Sequence, residues 1–287
     1  KKSLPDGRSL DLDQAFQMIR EAVTGLDMDC LRLDDVRTAD DSGRAIYERL
    51  LDADLVVCDL STHDAGIAYL LGVCWALRPS GTLVIAEQGY RSPVDDRALI
   101  VLLRYEQRGD GIGTEERARF SDGLRSIVTE SASAGLRSAV YADGALSPPQ
   151  WRGASAAVEP SWLVEDSLRQ ERGERCLVLQ GFGRQLDHYT SRTLDLDASF
   201  AIIREAVESL GLECVRFEVV EPLMFNGGPT LRLLYEAQLV IADLSASVED
   251  ALLELGIRMG LRRGQTLLVA DEQCRIPAEL GALRISR

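Results

Sequence analysis

The residues of this chain best suited to chemistry sit in a few short stretches. Asp59-Leu60-Ser61 and Asp243-Leu244-Ser245 each put a carboxylate and a hydroxyl at the end of an apolar run. A carboxylate placed there can hydrogen-bond a ribose hydroxyl, or it can form an Asx-turn that ties down the following loop. Gly181-Phe182-Gly183 ends another apolar run, where missing side chains let backbone amides approach a ligand or simply make a tight turn. It lacks the full G-x-G-x-x-G and G-x-x-x-x-G-K-[ST] patterns, so neither a dinucleotide fingerprint nor a P-loop is read here. Arg216, like Arg32, alternates with apolar residues; it can bind a phosphate or carboxylate, or pair with a neighbouring acid. Glu254, in Glu254-Leu255-Gly256, is the remaining acid of interest. With Asp250, Arg258 and Arg262 it also makes a four-residue spacing typical of a solvated helix stripe, acidic residues first and basic ones last.

These stretches are organised by a duplication. Residues 10–87 recur at 194–271 without a gap, and about 29 of 78 positions are identical. A repeat of this length is a duplicated domain rather than a solenoid unit. Positions that agree between the copies report on the shared fold, and positions that differ report on chemistry kept or lost. The sharpest difference is Leu70 at the position of Glu254. A leucine can neither attack nor ionise.

The elements that must hold these residues are most legible in the second copy. Cys176–Gln180 is a buried strand by its apolar run, Leu194–Leu210 a helix by its periodicity (Phe200, Ile203, Val207 and Leu210 on one face), and Gly211 its stop. Strands follow at Leu212–Phe217, Leu239–Ala242 and Gln265–Ala270, with a fifth beginning at Leu283–Ile285. Helices are expected from Pro229 to Leu234 and from about Val248 to Leu261, and a polar loop from Arg184 to Thr193. Strand alternating with helix predicts an α/β chain of two tandem flavodoxin-like, doubly wound parallel sheets in the order 2-1-3-4-5. In the first copy strands are expected near Cys30–Leu33, Leu55–Cys58, Thr82–Ala86 and Ala98–Leu103, and strand one has no counterpart. That strand is central, so residues before Lys1 are expected to supply it. The first copy is assigned to 1–150 and the second to 175–287. Between them lie a charged helix at Thr114–Thr129, a turn at Ser147–Trp151 and a connecting helix at Trp162–Arg172. In such sheets ligands sit outside the carboxyl ends of the strands, where the stretches named above fall.

Composition narrows the function. Against 46 acidic residues stand 32 basic ones, a net charge of −14, which repels phosphate backbones and argues against nucleic acid. Six cysteines are scattered without a C-x-x-C pair, so neither a zinc site nor a disulfide framework is suggested, and no cofactor or metal is expected. No apolar run reaches the roughly 20 residues of a membrane span. No signal peptide is visible; a reduced cytoplasmic setting fits best.

The layout Phe182-Gly183, then Leu194-Asp195-Leu196-Asp197 and a helix, then Ala242-Asp243-Leu244-Ser245 and a helix with Glu254-Leu255-Gly256, resembles the nucleoside 2-deoxyribosyltransferase-like group. Within it the chain is most similar to the domain at the front of bacterial TRAF-binding-type proteins, related to the thioredoxin-binding region of stress-activated ASK-type kinases. TIR domains are more distant. The resemblance implies that Glu254 matches the glutamate that attacks the anomeric carbon and Asp243 an aspartate that contacts the sugar, a carboxylate suiting an oxocarbenium-like step. It implies a catalytically dead first copy, Asp59 and Ser61 being kept and Leu70 replacing the acid. The leading expectation is a regulatory or interaction module of a signalling, stress or defence protein, with a nucleotide-like ligand at Gly181, Phe182, Gly183, Arg216, Asp243 and Ser245. The alternative is an enzyme acting at an N-glycosidic bond of a nucleoside, nucleotide or NAD, with Glu254 as nucleophile. A third reading is a scaffold in which the copies pack as a pseudo-dimer. A protein partner, further domains of the same chain, and homo-oligomers are the expected partners.

Overall fold

The computed structural model describes residues 1–3, 7–36, 44–91, 103–109, 111–134, 136, 138–141, 146, 175–187, 190, 192–217, 229–246, 249–261, 265–281 and 283–287. The chain divides into two compact units, Lys1–Ile67 with Ser80–Arg137, and Ala68–Pro79 with Ser138–Arg287. It is an α/β protein built on parallel sheets.

The first unit begins with a short antiparallel pair, β1 (Lys2–Ser3) and β2 (Ser9–Leu10). Helix α1 (Leu12–Thr24) starts where Asp11 accepts a bond from the Gln14 amide, an N-cap that satisfies one of the helix's free donors. Then come α2 (Leu33–Val36), α3 (Arg44–Asp52), β3 (Val56–Asp59) and α4 (Ala65–Leu77), whose body from Ala68 belongs to the second unit. Strands β4 (Thr82–Glu87) and β5 (Leu103–Tyr105) and helix α5 (Thr114–Ala134) complete it. The sheet is β3-β4-β5, all parallel. All six residues of β4 are buried, as a strand covered on both faces requires. Ala15, Met18 and Ala22 of α1 share one core with Phe120 and Leu124 of α5.

The strand expected at Cys30–Leu33 does not form: 30–32 are irregular and Leu33 opens α2. A strand there needs a partner, and among the described residues the three-stranded sheet has none beyond β3; an unpaired ladder is costly when buried. Of the strand expected at Ala98–Leu103, only Leu103 is described, at the start of β5. The turn at Ser147–Trp151 and the helix at Trp162–Arg172 lie outside the described residues.

The second unit contains β6 (Arg175–Leu179), β7 (Arg184–Asp187), β8 (Arg192–Asp195), α6 (Leu196–Glu208), β9 (Glu213–Arg216) and α7 (Pro229–Glu236). After them come β10 (Leu239–Asp243), α8 (Glu249–Leu261), β11 (Thr266–Val269) and β12 (Ile285–Ser286). Five strands pair in parallel in the order β12-β11-β10-β6-β9, with Val178 opposite both Ile241 and Arg216. Counted along this repeat, that order is 2-1-3-4-5. The segment read as a polar loop is instead the antiparallel hairpin β7–β8; its mixed polarity hid the pairing. Phe200, Ile203 and Val207 pack on Cys176, Val178 and Ile241. Leu210, expected on the same face, lies past the helix end and is 72% exposed.

Helix α4 is apolar on every side, and its body is enclosed within the second unit. There it crosses α8 at repeat-equivalent residues. A Cβ on Gly72 would fall well under 3.0 Å from the Leu253 carbonyl oxygen, and one on Gly256 well under 3.0 Å from the Tyr69 carbonyl oxygen. Tyr69 and Leu253 are themselves repeat equivalents, so the crossing is locally two-fold symmetric. One turn on, Gly260 faces Ala76. Small residues four apart on both helices let the two backbones touch.

Candidate functional site

At the carboxyl edge of the second sheet, Asp243 is 7% exposed and fully engaged. Ser245 gives its amide (3.0 Å) and its hydroxyl (2.5 Å) to Oδ1. Gln180 Nε2 (2.6 Å) and Ser199 Oγ (2.7 Å) donate to Oδ2. The Ser245 hydroxyl in turn accepts the Asp271 amide at 2.9 Å, so the strand end, the loop and β11 are stitched together. The first unit repeats the device. Ser61 donates its amide (3.0 Å) and hydroxyl to Asp59 Oδ1 and accepts the Glu87 amide at 2.6 Å. There Tyr105 supplies the second donor, at 2.8 Å to Oδ2. Burial pushes the Asp59 carboxyl above the usual carboxylate range, against the pull of Ser61 and Tyr105; burial likewise raises the Tyr105 phenol. In both copies the Asp-Leu-Ser motif thus closes its own loop.

The strand order reverses between β6 and β10, the usual ligand position in open α/β sheets. Gly183 has φ +65°, in the left-handed region, which turns the chain away from β6. Its amide donates to Asp197 at 3.1 Å. Arg216 donates to the same carboxylate at 2.6 Å and also to the Gly181 carbonyl. Its guanidinium lies 4.2 Å from the Phe182 ring centroid and 5.1 Å from that of Phe200. The Arg216 hydrogen bond holds the Asp197 carboxyl below its ordinary range. Arg32 does the same for Asp13, at 2.8 Å, beside Phe16. Pairing with an acid is therefore what both arginines do. Gln180 Oε1 and Arg216 Nε are buried here and have no hydrogen-bond partner among the described residues. Phe182 is 43% exposed, its ring backed by the guanidinium.

Glu254 is 3% exposed and Arg258 fully buried, so the charged row on α8 is no solvated stripe. The even spacing of Asp250, Glu254 and Arg258 predicted an exposed face, but burial is decided by what covers a helix, not by its own pattern. Arg258 reaches the end of α7, giving Nη1 to the Leu234 (2.5 Å) and Tyr235 (3.3 Å) carbonyls and Nη2 to Ala237 (3.0 Å). These are acceptors a helix C-terminus leaves unpaired. Leu70 is buried at the equivalent place on α4. Glu254 follows β10 by one helical turn and more, on the helix that leaves the carboxyl edge.

Sequence reading missed the residues that complete this edge. Gln180, Ser199 and Tyr105 come from other elements and carried no motif. One signal was present: Arg8 and Arg192 extend the repeat, and each meets an acid at repeat-equivalent positions, Glu87 at the end of β4 and Asp271 just past β11. Arg8 binds Glu87 at 2.8 Å; Arg192 binds Asp271 at 2.7 Å, tying hairpin β7–β8 to the far side of β10. The Arg192 hydrogen bond, helped by the Gln273 amide, holds the Asp271 carboxyl low. The pair's contribution is therefore complete above the ordinary carboxylate pKa of about 3.9 and disappears as pH falls through the lowered native value. Amide exchange in 184–195 is expected to accelerate in Asp271→Asn at pH 7, and the gap from the parent protein to narrow as the pH drops below that range. Equal exchange at pH 7 would show that the pair does not hold the hairpin.

Scans against protein-family models, curated proteins and solved structures found no match. Among the described residues no group of three or more His, Cys, Asp or Glu is placed to hold a metal ion, and no helix is long and apolar enough to cross a membrane. None of the six cysteines is in a disulfide.

Proposed function

We propose that the chain is a regulatory or interaction module of a signalling, stress or defence protein, built from a tandem pair of flavodoxin-like, nucleoside-transferase-like units. The second unit takes a nucleotide-like ligand at the carboxyl edge of its sheet. The observation that carries this reading is the engagement of both aspartates: each oxygen of Asp59 and Asp243 is held by residues of its own unit. Carboxylates committed to building a loop suit recognition by the surrounding surface better than turnover. The exposed Phe182 ring, with Arg216 behind it, offers a stacking face for a base, and Gln180 Oε1 is an acceptor awaiting a donor.

Titrating the chain with nucleoside mono-, di- and triphosphates and NAD is expected to raise the melting temperature for at least one of them, without release of free base. Phe182→Ala should weaken that ligand about tenfold, the size of one lost stacking contact of roughly 1–3 kcal/mol. No thermal shift with any nucleotide, or unchanged affinity in Phe182→Ala, would end the ligand half of the proposal.

The observation that supports a second reading, an N-glycosidic enzyme with Glu254 as nucleophile, is the burial of that carboxylate, which keeps it from bulk water. That reading requires free base to appear from the same panel and Glu254→Gln to abolish it.

A further inference from the structure

Helix α6 carries an apolar row, Ala198, Ile202, Ala206 and Leu210, that faces solvent. Ile202 is 71% exposed and Leu210 72%, and both alanines are exposed as well. At the equivalent positions of the first unit Met18 is 0% exposed and Ala22 3%, while Gln14 and Leu26 are half-buried, Leu26 packing against the same core. The two helices are otherwise alike, with the same N-cap aspartate and the same Ile-Arg-Glu-Ala-Val run. What differs is the cover. Helix α5 lies along α1 and supplies Phe120, Leu124, Ile127 and Val128 to its core. Arg117, three residues before Phe120, pairs with Glu21 of α1 at 3.0 Å. No described helix does this for α6, although Glu205 stands exposed at the position of Glu21. Large exposed aliphatic side chains in a continuous row mark an interaction surface.

We propose that the Ala198–Leu210 face of α6 is a docking groove for a partner amphipathic helix of the α5 type. Its apolar residues recur at i, i+4, i+7 and i+8, and an arginine three residues earlier meets Glu205. The first unit is the template: it shows the shape, spacing and charge that this helix surface accepts. The inference extends the interaction-module reading. It does not depend on a nucleotide, so either can fail without the other.

The probe is a synthetic peptide of the α5 sequence, Thr114–Ala134, titrated into the intact chain. Saturable binding is expected, with new amide protection in α6. Ile202→Asp should weaken it about tenfold or more while leaving the chain's own melting temperature nearly unchanged, because the side chain is exposed. A peptide carrying Phe120→Asp and Leu124→Asp should not bind. The proposal is overturned if the peptide fails to bind, if Ile202→Asp leaves binding intact, or if protection changes in α1 rather than α6. Sedimentation showing a dimer that Ile202→Asp dissociates would also overturn it, since the occupant would then be a second copy of this chain.

Discussion

Gly256→Ala is expected to lower the thermal midpoint by about 6–12 °C, and Gly72→Ala by a similar amount. Two effects oppose each other. Alanine is the better helix former by about 1 kcal/mol, which alone would stabilise either helix. Against that, the new methyl would overlap a backbone carbonyl of the facing helix, and a carbonyl held in a helix cannot rotate away. Overpacking of this kind costs about 1–3 kcal/mol and sometimes more, and the backbone overlap puts it at or above the upper end. A loss of about 3 kcal/mol corresponds to roughly 6–12 °C at this size, so sterics win. Because both substitutions open the same crossing, the double variant should cost less than the sum of the singles. Calorimetry decides it. A midpoint that rises in Gly256→Ala, as propensity alone would dictate, is incompatible with backbones in contact.

Arg258→Met is expected to destabilise the chain by about 3–5 kcal/mol, although methionine fills similar volume and raises apolar content. The loss comes from the acceptors left behind. The Leu234, Tyr235 and Ala237 carbonyls at the end of α7 receive the guanidinium in a fully buried site. Removing one side of a buried charged network strands its partners, the costly direction of such a change. Arg258→Lys should recover only part, since one ammonium cannot present the planar fork that spans three carbonyls. Denaturant unfolding gives the stability, and amide exchange should show the effect concentrated in 229–237. A methionine variant as stable as the parent protein would mean that those carbonyls need no donor.

Much of the second unit was readable from local pattern. Apolar runs located β6, β10 and β11, the helical period located α6 and α8, and strand–helix alternation predicted a parallel sheet, whose observed pairing follows the order 2-1-3-4-5. The duplication added a control: Arg32 and Arg216 pair with equivalent acids, and both Asp-Leu-Ser motifs make equivalent turns. Where pattern and structure part, the missing information was always a neighbour. Cys30–Leu33 looks like Cys214–Phe217 but has no described strand to pair with. Arg184–Thr193 read as a loop because a short hairpin of mixed polarity has no clean period.

The amino-acid sequence alone determined that two copies of one α/β pattern exist, which residues end their strands, and that the copies differ by an acid against an aliphatic residue. Periodicity and repetition are properties of the chain itself and need no partner to be seen. Only the tertiary structure decided that Glu254 and Arg258 are enclosed, that Gln180, Ser199 and Tyr105 complete the aspartate sites, and that, among the described residues, a helix covers the outer face of α1 while none covers that of α6. Burial and hydrogen-bond partnership are set by segments distant along the chain, and no local spacing encodes which of them arrives.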